Sequence, residues 1–188
     1  RDMLNLIAQT QLQSGYPYLM FKDNANKVHA NSDIGQIKMS NLCTEIFQLQ
    51  ETSIINDYGT EDEIKRDISC NLGSLNIVNV MESGKFKDSV HTGMDALTVV
   101  SDEADIQNAP GVRKANRELH SVGLGVMNLH GYLAKNKIGY ESEEAKDFAN
   151  IFFMMLNYYS IERSMEIAKE RQEVYKDFEQ SDYANGKY

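Results

Sequence analysis

Short apolar runs that suit β-strands alternate with segments of helical periodicity, and this alternation most constrains the fold. From Phe86 to Ile106, apolar side chains recur at the spacing of one helix face. The run Val-Gly-Leu-Gly-Val at 122–126 suits a strand whose glycines allow close backbone approach. The longest helix is predicted from Ser142 to about Gln172. The alternation predicts an α/β architecture with parallel strand pairs.

The rest of the sequence predicts shorter elements and the turns between them. Gly15 and Pro17 end a first helix, because glycine suits a helix C-terminus and proline cannot continue it. Pro110 and Gly111 end the element that begins at Phe86. The remaining predictions are a helix over 2–13, a short buried strand over 17–21, a loop over 22–35, a segment extended at both ends over 37–49, a turn at 56–59, a short strand over 68–72, a helix over 128–135 and an irregular segment over 178–188.

The composition limits the classes of protein to which this chain can belong. The 188 residues suffice for one domain with a core, and the net charge of −9 argues against a nucleic-acid-binding surface. The apolar run 151–156 is far shorter than the roughly 20 residues of a membrane span. Two cysteines without CxxC spacing suit a reducing compartment, so the expected location is cytoplasmic. Because the chain begins with Arg1, we expect it to be a piece of a longer protein.

Three side chains of different chemistry lie two residues apart at Asn41, Cys43 and Glu45. In an extended segment these side chains share one face, whereas a helix would rotate Asn41 and Cys43 about 200° apart. An extended 39–46 would therefore direct an amide, a nucleophile and a base into one space. The spacing alone leaves a second interpretation open, in which Cys43 is a buried structural thiol with two polar neighbours.

Longer strings around these residues resemble a known family. The sequence Ser-Asn-Leu-Cys-Thr-Glu-Ile at 40–46 resembles the active-site finger loop of class I ribonucleotide reductase large subunits, and is most similar to the class Ib form. Ile-Ser-Cys-Asn-Leu-Gly-Ser-Leu-Asn-Ile at 68–77 resembles the segment with that family's second redox cysteine. Further matches lie at 117–127 and 181–186. The resemblance implies that 1–188 is one partial domain of a ten-stranded α/β barrel, with a central finger loop carrying Cys43 and a helix-rich C-terminal half.

The resemblance also implies an activity, the reduction of ribonucleoside diphosphates to 2′-deoxyribonucleoside diphosphates. Cys43 would be the transient thiyl that takes the 3′ hydrogen, Glu45 the base on the 3′ hydroxyl, and Asn41 the amide that orients the substrate. Cys70 would donate reducing equivalents and form a disulfide with a cysteine outside this chain. The implied substrate-binding residues are Ser40, Asn41, Leu42, Cys43, Thr44 and Glu45.

The family implies partners as well. A small subunit would supply the radical from a dinuclear metal–tyrosyl site, and a thioredoxin- or glutaredoxin-like protein would be the external thiol reductant. This chain would bind no metal or other cofactor, nucleic acid or membrane. The alternative hypothesis is a non-catalytic binding or structural α/β domain with incidental cysteines, which a solvent-exposed and unreactive Cys43 or a helix through 39–46 would favour.

Other candidate residues are interpreted as structural. Asp88 and His91 have the i, i+3 spacing of a metal-binding pair, but a di-metal bundle needs two such pairs, so His91 is predicted to be a surface residue. The G-x-G of Gly123 and Gly125 has no third glycine at the dinucleotide spacing and indicates close packing. Predicted core or boundary residues in the long helix are Phe152, Met154, Met155, Tyr158 and Tyr159.

Overall fold

The structure, a computed structural model, describes residues 1–56 and 58–187. Asp57, within the predicted turn at 56–59, and Tyr188 lie outside the described residues. The chain divides into two compact units. The first unit comprises 1–68, 106–115 and 177–188, and the second comprises 69–105 and 116–176.

The first unit begins with two helices. Helix α1 spans Asp2–Ser14, as predicted, and ends at Gly15, whose φ of 76° is the left-handed conformation that glycine accepts without strain. Helix α2 spans Lys22–Val28, so the prediction of a loop throughout 22–35 was wrong. The prediction of a buried strand over 17–21 was also wrong, because this apolar run is irregular and largely exposed.

A buried arginine ties together distant parts of the first unit. The side chain of Arg66 donates to Glu51 at 2.8 Å and to Asp177 at 3.1 Å. Burial lowers the pKa of Arg66, but the hydrogen bonds to the two carboxylates outweigh it, and the net pKa is raised. Because a buried guanidinium needs such partners, this triad fixes the chain at residue 66, shortly before Cys70.

The second unit contains two parallel strands, which confirms the predicted parallel pairing. Strand β1 spans Leu72–Asn76 and strand β2 spans Gly123–Met127, with Leu72 opposite Gly123. The strand predicted over 68–72 therefore lies further along the chain. A Cβ on Gly123 would be 2.5 Å from Cδ2 of Leu72, which confirms the interpretation of this glycine as a close-packing residue.

Five α-helices come after β1 in the described part of the chain. Asn76 caps the first of them by accepting the backbone N–H groups of Val78 and Asn79. Ser142 caps the last by accepting the N–H of Ala145. The helices are α3 at Ile77–Ser83, α4 at Phe86–Glu103, α5 at Pro110–Leu119, α6 at Leu129–Lys135 and α7 at Glu143–Arg171, and a short 3₁₀ helix spans Phe178–Gln180.

The start of α5 corrects one sequence prediction. Helix α4 already ends at Glu103, and Pro110 begins α5 instead of only ending the preceding element. Proline suits the first position of a helix because its φ is already helical and its missing N–H would have had no intrahelical partner. Within 1–56 and 58–187, no helix is long and apolar enough to cross a membrane.

The core of the second unit joins α3, α4 and α7. Its buried members are Ile77, Val90, Phe152 and Leu156, packed against partly buried residues that include Tyr159. The α4 face predicted from periodicity is confirmed, because its buried residues are Val90, Met94, Leu97 and Ser101.

Two residues of α7 that were predicted to lie in the core or at its boundary are exposed. The side chains of Met154 and Tyr158 are exposed in this chain, whereas Phe152 is buried as predicted. An apolar run on a helix always places some members away from a one-sided core, so composition alone could not decide between them.

Candidate active site

The segment that carries Cys43 is anchored by helix α2. The Asn26 side chain forms two hydrogen bonds with the Ile37 backbone, donating to its carbonyl at 2.9 Å and accepting its N–H at 2.8 Å. Ile37 itself is fully buried. Further along, the Gln50 side chain donates to the carbonyl of Met39 at 2.7 Å. The segment therefore enters and leaves the site at fixed points.

Residues 39–46 contain a tight turn. The N–H of Thr44 donates to the carbonyl of Asn41 at 3.0 Å, and Thr44 has a φ of 66°. The prediction that 39–46 is non-helical is confirmed. The extended geometry was wrong at 42–44, because the turn reverses the chain and replaces strict alternation of faces. Cys43 occupies the third position of this turn.

The Asn41 side chain closes the loop. Its Oδ1 accepts the N–H of Ile46 at 3.0 Å and lies 3.1 Å from the Ser40 hydroxyl. That hydroxyl also lies 2.6 Å from the carbonyl oxygen of Ile46. With one proton, Ser40 donates to one of these two acceptors at a time. Asn41 thus bridges the turn that presents Cys43, a structural task that spacing did not reveal.

Cys43 and Glu45 are both exposed, and both act electrostatically on Tyr18. The pKa of Tyr18 is raised, first by the charge of the Tyr16 phenol, then by loss of solvent and a hydrogen bond with Tyr16. Negative charge on Cys43 and on Glu45 raises it further. The structure therefore brings a thiol, a carboxylate and a phenol into one neighbourhood. The sequence had assigned 17–21 to a strand and gave no signal for Tyr18.

The rings of Tyr16 and Tyr18 lie against each other, with centroids 5.1 Å apart. The two rings pack together although 17–21 is irregular. Both rings remain partly exposed. Tyr18 is the ring on which Cys43 and Glu45 act electrostatically.

Cys70 lies in the second unit, two residues before β1, and its side chain is exposed. Its neighbours Ser69 and Asn71 are buried. The carbonyl of Asn71 accepts the N–H of Gly123 at 2.8 Å, which joins the Cys70 segment to the start of β2. The described residues contain no disulfide.

His91 was predicted to be a surface residue, but its side chain is half-buried between α4 and α7. Its Nε2 lies 3.1 Å from Glu162, and its Nδ1 lies 3.7 Å from Glu166. These three residues have a geometry that could hold a metal ion. However, Lys87 and Arg163 already form ion pairs with the two carboxylates.

The hydrogen bond from Lys87 is the main cause that lowers the pKa of Glu162, with smaller contributions from His91. The cluster is thus a charged connection between two helices whose carboxylates already have cationic partners. It could not be found from local spacing, because His91 and Glu162 are 71 residues apart.

The comparisons with known proteins now define the family. The family description "Ribonucleotide reductase, barrel domain" matches residues 1–188, and the chain belongs to this family. A ribonucleoside-diphosphate reductase subunit alpha of Bacillus subtilis is 57% identical over 188 residues, which is all of this chain and 27% of the relative. The subunit alpha of Mycoplasma pneumoniae is 42% identical, again over all of this chain and 26% of the relative.

A solved structure gives the same relationship. The class Id ribonucleotide reductase alpha subunit of Actinobacillus ureae matches with a TM-score of 0.77 at 26% identity. The match covers 93% of this chain and 32% of that subunit. This chain therefore spans about a quarter to a third of the length of these three relatives.

Proposed function

We propose that this chain is the central catalytic segment of a class I ribonucleotide reductase large subunit, which reduces ribonucleoside diphosphates to 2′-deoxyribonucleoside diphosphates. The observation that carries the proposal is the Cys43 turn. It presents a thiol two residues from a carboxylate in a non-helical loop anchored on both sides. Relatives that match the whole chain are named for this reaction.

In the proposed chemistry, Cys43 transfers a hydrogen atom and Glu45 a proton. A thiyl radical suits this role because the S–H bond that it forms is similar in strength to an activated sugar C–H bond. The Cys43 thiyl takes the 3′ hydrogen and becomes a thiol, while the Glu45 carboxylate accepts the proton of the 3′ hydroxyl. General-base action requires an ionised carboxylate within hydrogen-bond reach, and the exposed Glu45 side chain is accessible to a substrate.

Ser40, Leu42 and Thr44 complete the substrate-binding loop in this proposal. The side-chain oxygen of Asn41 accepts the N–H of Ile46 and lies within hydrogen-bond distance of the Ser40 hydroxyl. We therefore assign Asn41 two tasks, shaping the turn and orienting the substrate. Leu42 is exposed at the tip of the turn, where an apolar side chain can contact the sugar or base.

Cys70 is the proposed electron donor. Replacing the 2′ hydroxyl with hydrogen, with the hydroxyl released as water, requires two electrons and two protons, and two thiols supply both by becoming one disulfide. The second thiol belongs to a cysteine outside this chain. An external thiol reductant of the thioredoxin or glutaredoxin kind then restores both thiols. The exposure of Cys70 is compatible with attack by such a protein.

For the fold, we propose that 1–188 is one partial domain of a ten-stranded α/β barrel with Cys43 on its central finger loop. Support comes from the family match over the whole chain and from the parallel strands β1 and β2. Exposed apolar residues of α1 also support it, because further parts of a larger subunit would cover apolar side chains of this kind. These residues include Met3, Leu4, Leu6 and Leu12.

The proposed partners follow from the class. A small subunit would supply the radical from its dinuclear metal–tyrosyl site, and this chain would bind the substrate without a metal of its own. The class Ib character and the cytoplasmic location remain predictions.

A non-catalytic binding or structural domain is the second candidate, because Cys43 is exposed in this chain. The confirmed non-helical loop argues against it, and so does the shared neighbourhood of Cys43, Glu45 and Tyr18. If the second candidate is correct, replacing Cys43 should have no effect on nucleotide reduction.

The deciding experiment is Cys43→Ser in the complete subunit. A practical form is the Bacillus subtilis subunit alpha with its matching stretch replaced by this chain. Serine is nearly isosteric with cysteine, but its O–H bond is too strong for reversible hydrogen transfer. We expect deoxynucleotide formation to be lost while circular dichroism is unchanged. Gln36→Ser, at an exposed position of the same segment, is the control that should retain activity.

A further inference from the structure

A buried asparagine connects the residues on both sides of Cys70. Asn116 lies in α5 within the second unit, and its side chain is only 2% exposed. A buried amide costs free energy unless its donors and acceptors are satisfied. Its Nδ2 donates to the backbone carbonyl of Ser101 and lies 3.5 Å from the carbonyl of Ala104, so Asn116 is held to the end of α4.

The oxygen of this amide accepts from three donors. They are the Ser69 hydroxyl at 3.0 Å, Nδ2 of Asn71 at 2.7 Å and the Ser101 hydroxyl at 3.0 Å. The Asn71 amide also donates to the carbonyl of Ser121 at 3.0 Å, next to β2. Because buried polar networks of this kind rigidify their members, Ser69 and Asn71 have little freedom to move.

Cys70 lies between these two anchored residues. Ser69 and Asn71 are buried and directed to Asn116, whereas Cys70 is exposed. In extended backbone, a residue points away from the side taken by both of its neighbours. Anchoring the neighbours inwards therefore fixes the direction in which Cys70 is presented.

We infer that Asn116 is a positioning residue that holds Cys70 in the geometry required to form a disulfide. The inference rests on the proposed function of Cys70. A disulfide requires Cα atoms about 4.4–6.8 Å apart and a narrow range of dihedral angles. A cysteine on a fixed segment meets that requirement at a higher effective concentration than one on a loose segment. Asn116 acts through Ser69 and Asn71, which it contacts directly.

The property to measure is the equilibrium between the Cys70 disulfide and glutathione in the complete subunit. In this exchange, two protein thiols and one glutathione disulfide give one protein disulfide and two glutathione thiols. Mass spectrometry after alkylation reports the oxidised fraction at Cys70 directly. For Asn116→Ala, we expect the equilibrium constant to fall about tenfold, which corresponds to a reduction potential about 30 mV less negative.

Three further variants separate positioning from general stability. Ser69→Ala and Ser101→Ala each remove one hydroxyl at 3.0 Å from the same Asn116 oxygen, but only Ser69 is next to Cys70. Ser69→Ala should lower the constant about threefold, and Ser101→Ala by less than twofold. Val90→Ala destabilises the core of the same unit without touching this network, and should leave the constant unchanged. The Ser69 and Ser101 pair decides the question if Asn116→Ala does not fold.

The outcomes distinguish this inference from the function on which it rests. A wild-type protein that forms no Cys70 disulfide when it reduces a ribonucleoside diphosphate contradicts the proposed function and the inference with it. The disulfide could form and all four variants could give the same equilibrium constant with glutathione. In that case the proposed function of Cys70 stands and the positioning role of Asn116 is wrong. A selective fall in Asn116→Ala and Ser69→Ala supports the positioning role.

Discussion

Replacing Gly123 with alanine tests the strand register next to Cys70. Gly123 is paired with Leu72, and its added Cβ would lie 2.5 Å from Leu72 Cδ2, far inside van der Waals contact. The next nearest neighbour, the carbonyl oxygen of Asn71, is 3.9 Å away, which is ordinary contact. The conflict therefore involves one side chain only. Leu72 is 51% exposed and can move partly aside.

The expected cost combines two opposing terms. Overpacking of this kind destabilises by about 1–3 kcal/mol. Exchanging glycine for alanine stabilises by about 0.5–1 kcal/mol where the backbone permits it, because the unfolded chain loses freedom. Gly123 is not among the glycines with positive φ, so its backbone permits alanine. The net free energy of unfolding should fall by about 0.5–2 kcal/mol.

A double-mutant cycle isolates the contact. In a Leu72→Ala background the conflict is absent, so Gly123→Ala should be neutral or stabilising by up to about 1 kcal/mol. Urea unfolding followed by circular dichroism measures all four proteins. The cycle should give a coupling energy of about 1–3 kcal/mol. An equal cost of Gly123→Ala in both backgrounds would refute the pairing of Gly123 with Leu72.

Three further changes test other parts of the second unit by urea unfolding. Asn76→Ala removes the cap of α3 and should cost about 1 kcal/mol; no loss would remove the capping role. Phe152→Ala should lower the free energy of unfolding by about 3–5 kcal/mol, because Phe152 is only 3% exposed. Phe153→Ala should lower it by less than about 1 kcal/mol, because Phe153 is 43% exposed. Equal costs would contradict the placement of Phe152 in the core. Hydrogen bonding to Arg171 lowers the pKa of Asp102 below 3.8, so its stabilisation is present above that pH and is lost as pH falls through the folded pKa. The stability gap between wild type and Asp102→Asn should therefore narrow as the pH falls below about 4, and a gap independent of pH would contradict the pair.

Elements with long periodic patterns could be predicted from the sequence. The face of α4 was correct because apolar spacing over many turns reports burial directly. The extent of α7 was correct as well, and its start at Ser142 is a side-chain cap. The glycines of β2 also gave a correct prediction, since a backbone that approaches another strand closely has few alternatives. In these cases a local pattern carried the information that tertiary packing uses.

Short elements could not be predicted because distant partners stabilise them. Helix α2 forms in a segment rich in asparagine and lysine, where Asn26 binds the backbone of Ile37. The apolar run 17–21 looked like a strand, but whether such a run forms one depends on a pairing partner that local sequence does not specify.

The candidate site was predictable in composition but not in geometry. The string 40–46 supplied the candidate residues, but local sequence did not show that the Asn41 side chain closes the turn by accepting the N–H of Ile46. Tyr18 and Asn116 gave no local signal, because the residues with which they interact are far away in the sequence. Family resemblance predicts the reacting groups, while the hydrogen bonds of the structure show what holds these residues.

The division of labour between Cys43 and Cys70 is the central claim, and release of label from 3′-tritiated ribonucleoside diphosphate tests it most directly. The complete subunit is assayed with its small subunit as the Cys43→Ser and Cys70→Ser variants side by side. Cys70→Ser should release tritium without making deoxynucleotide, because hydrogen abstraction needs only Cys43 and Glu45 while reduction needs a dithiol. Cys43→Ser should release no tritium and make no product. Identical behaviour of the two variants would contradict the account.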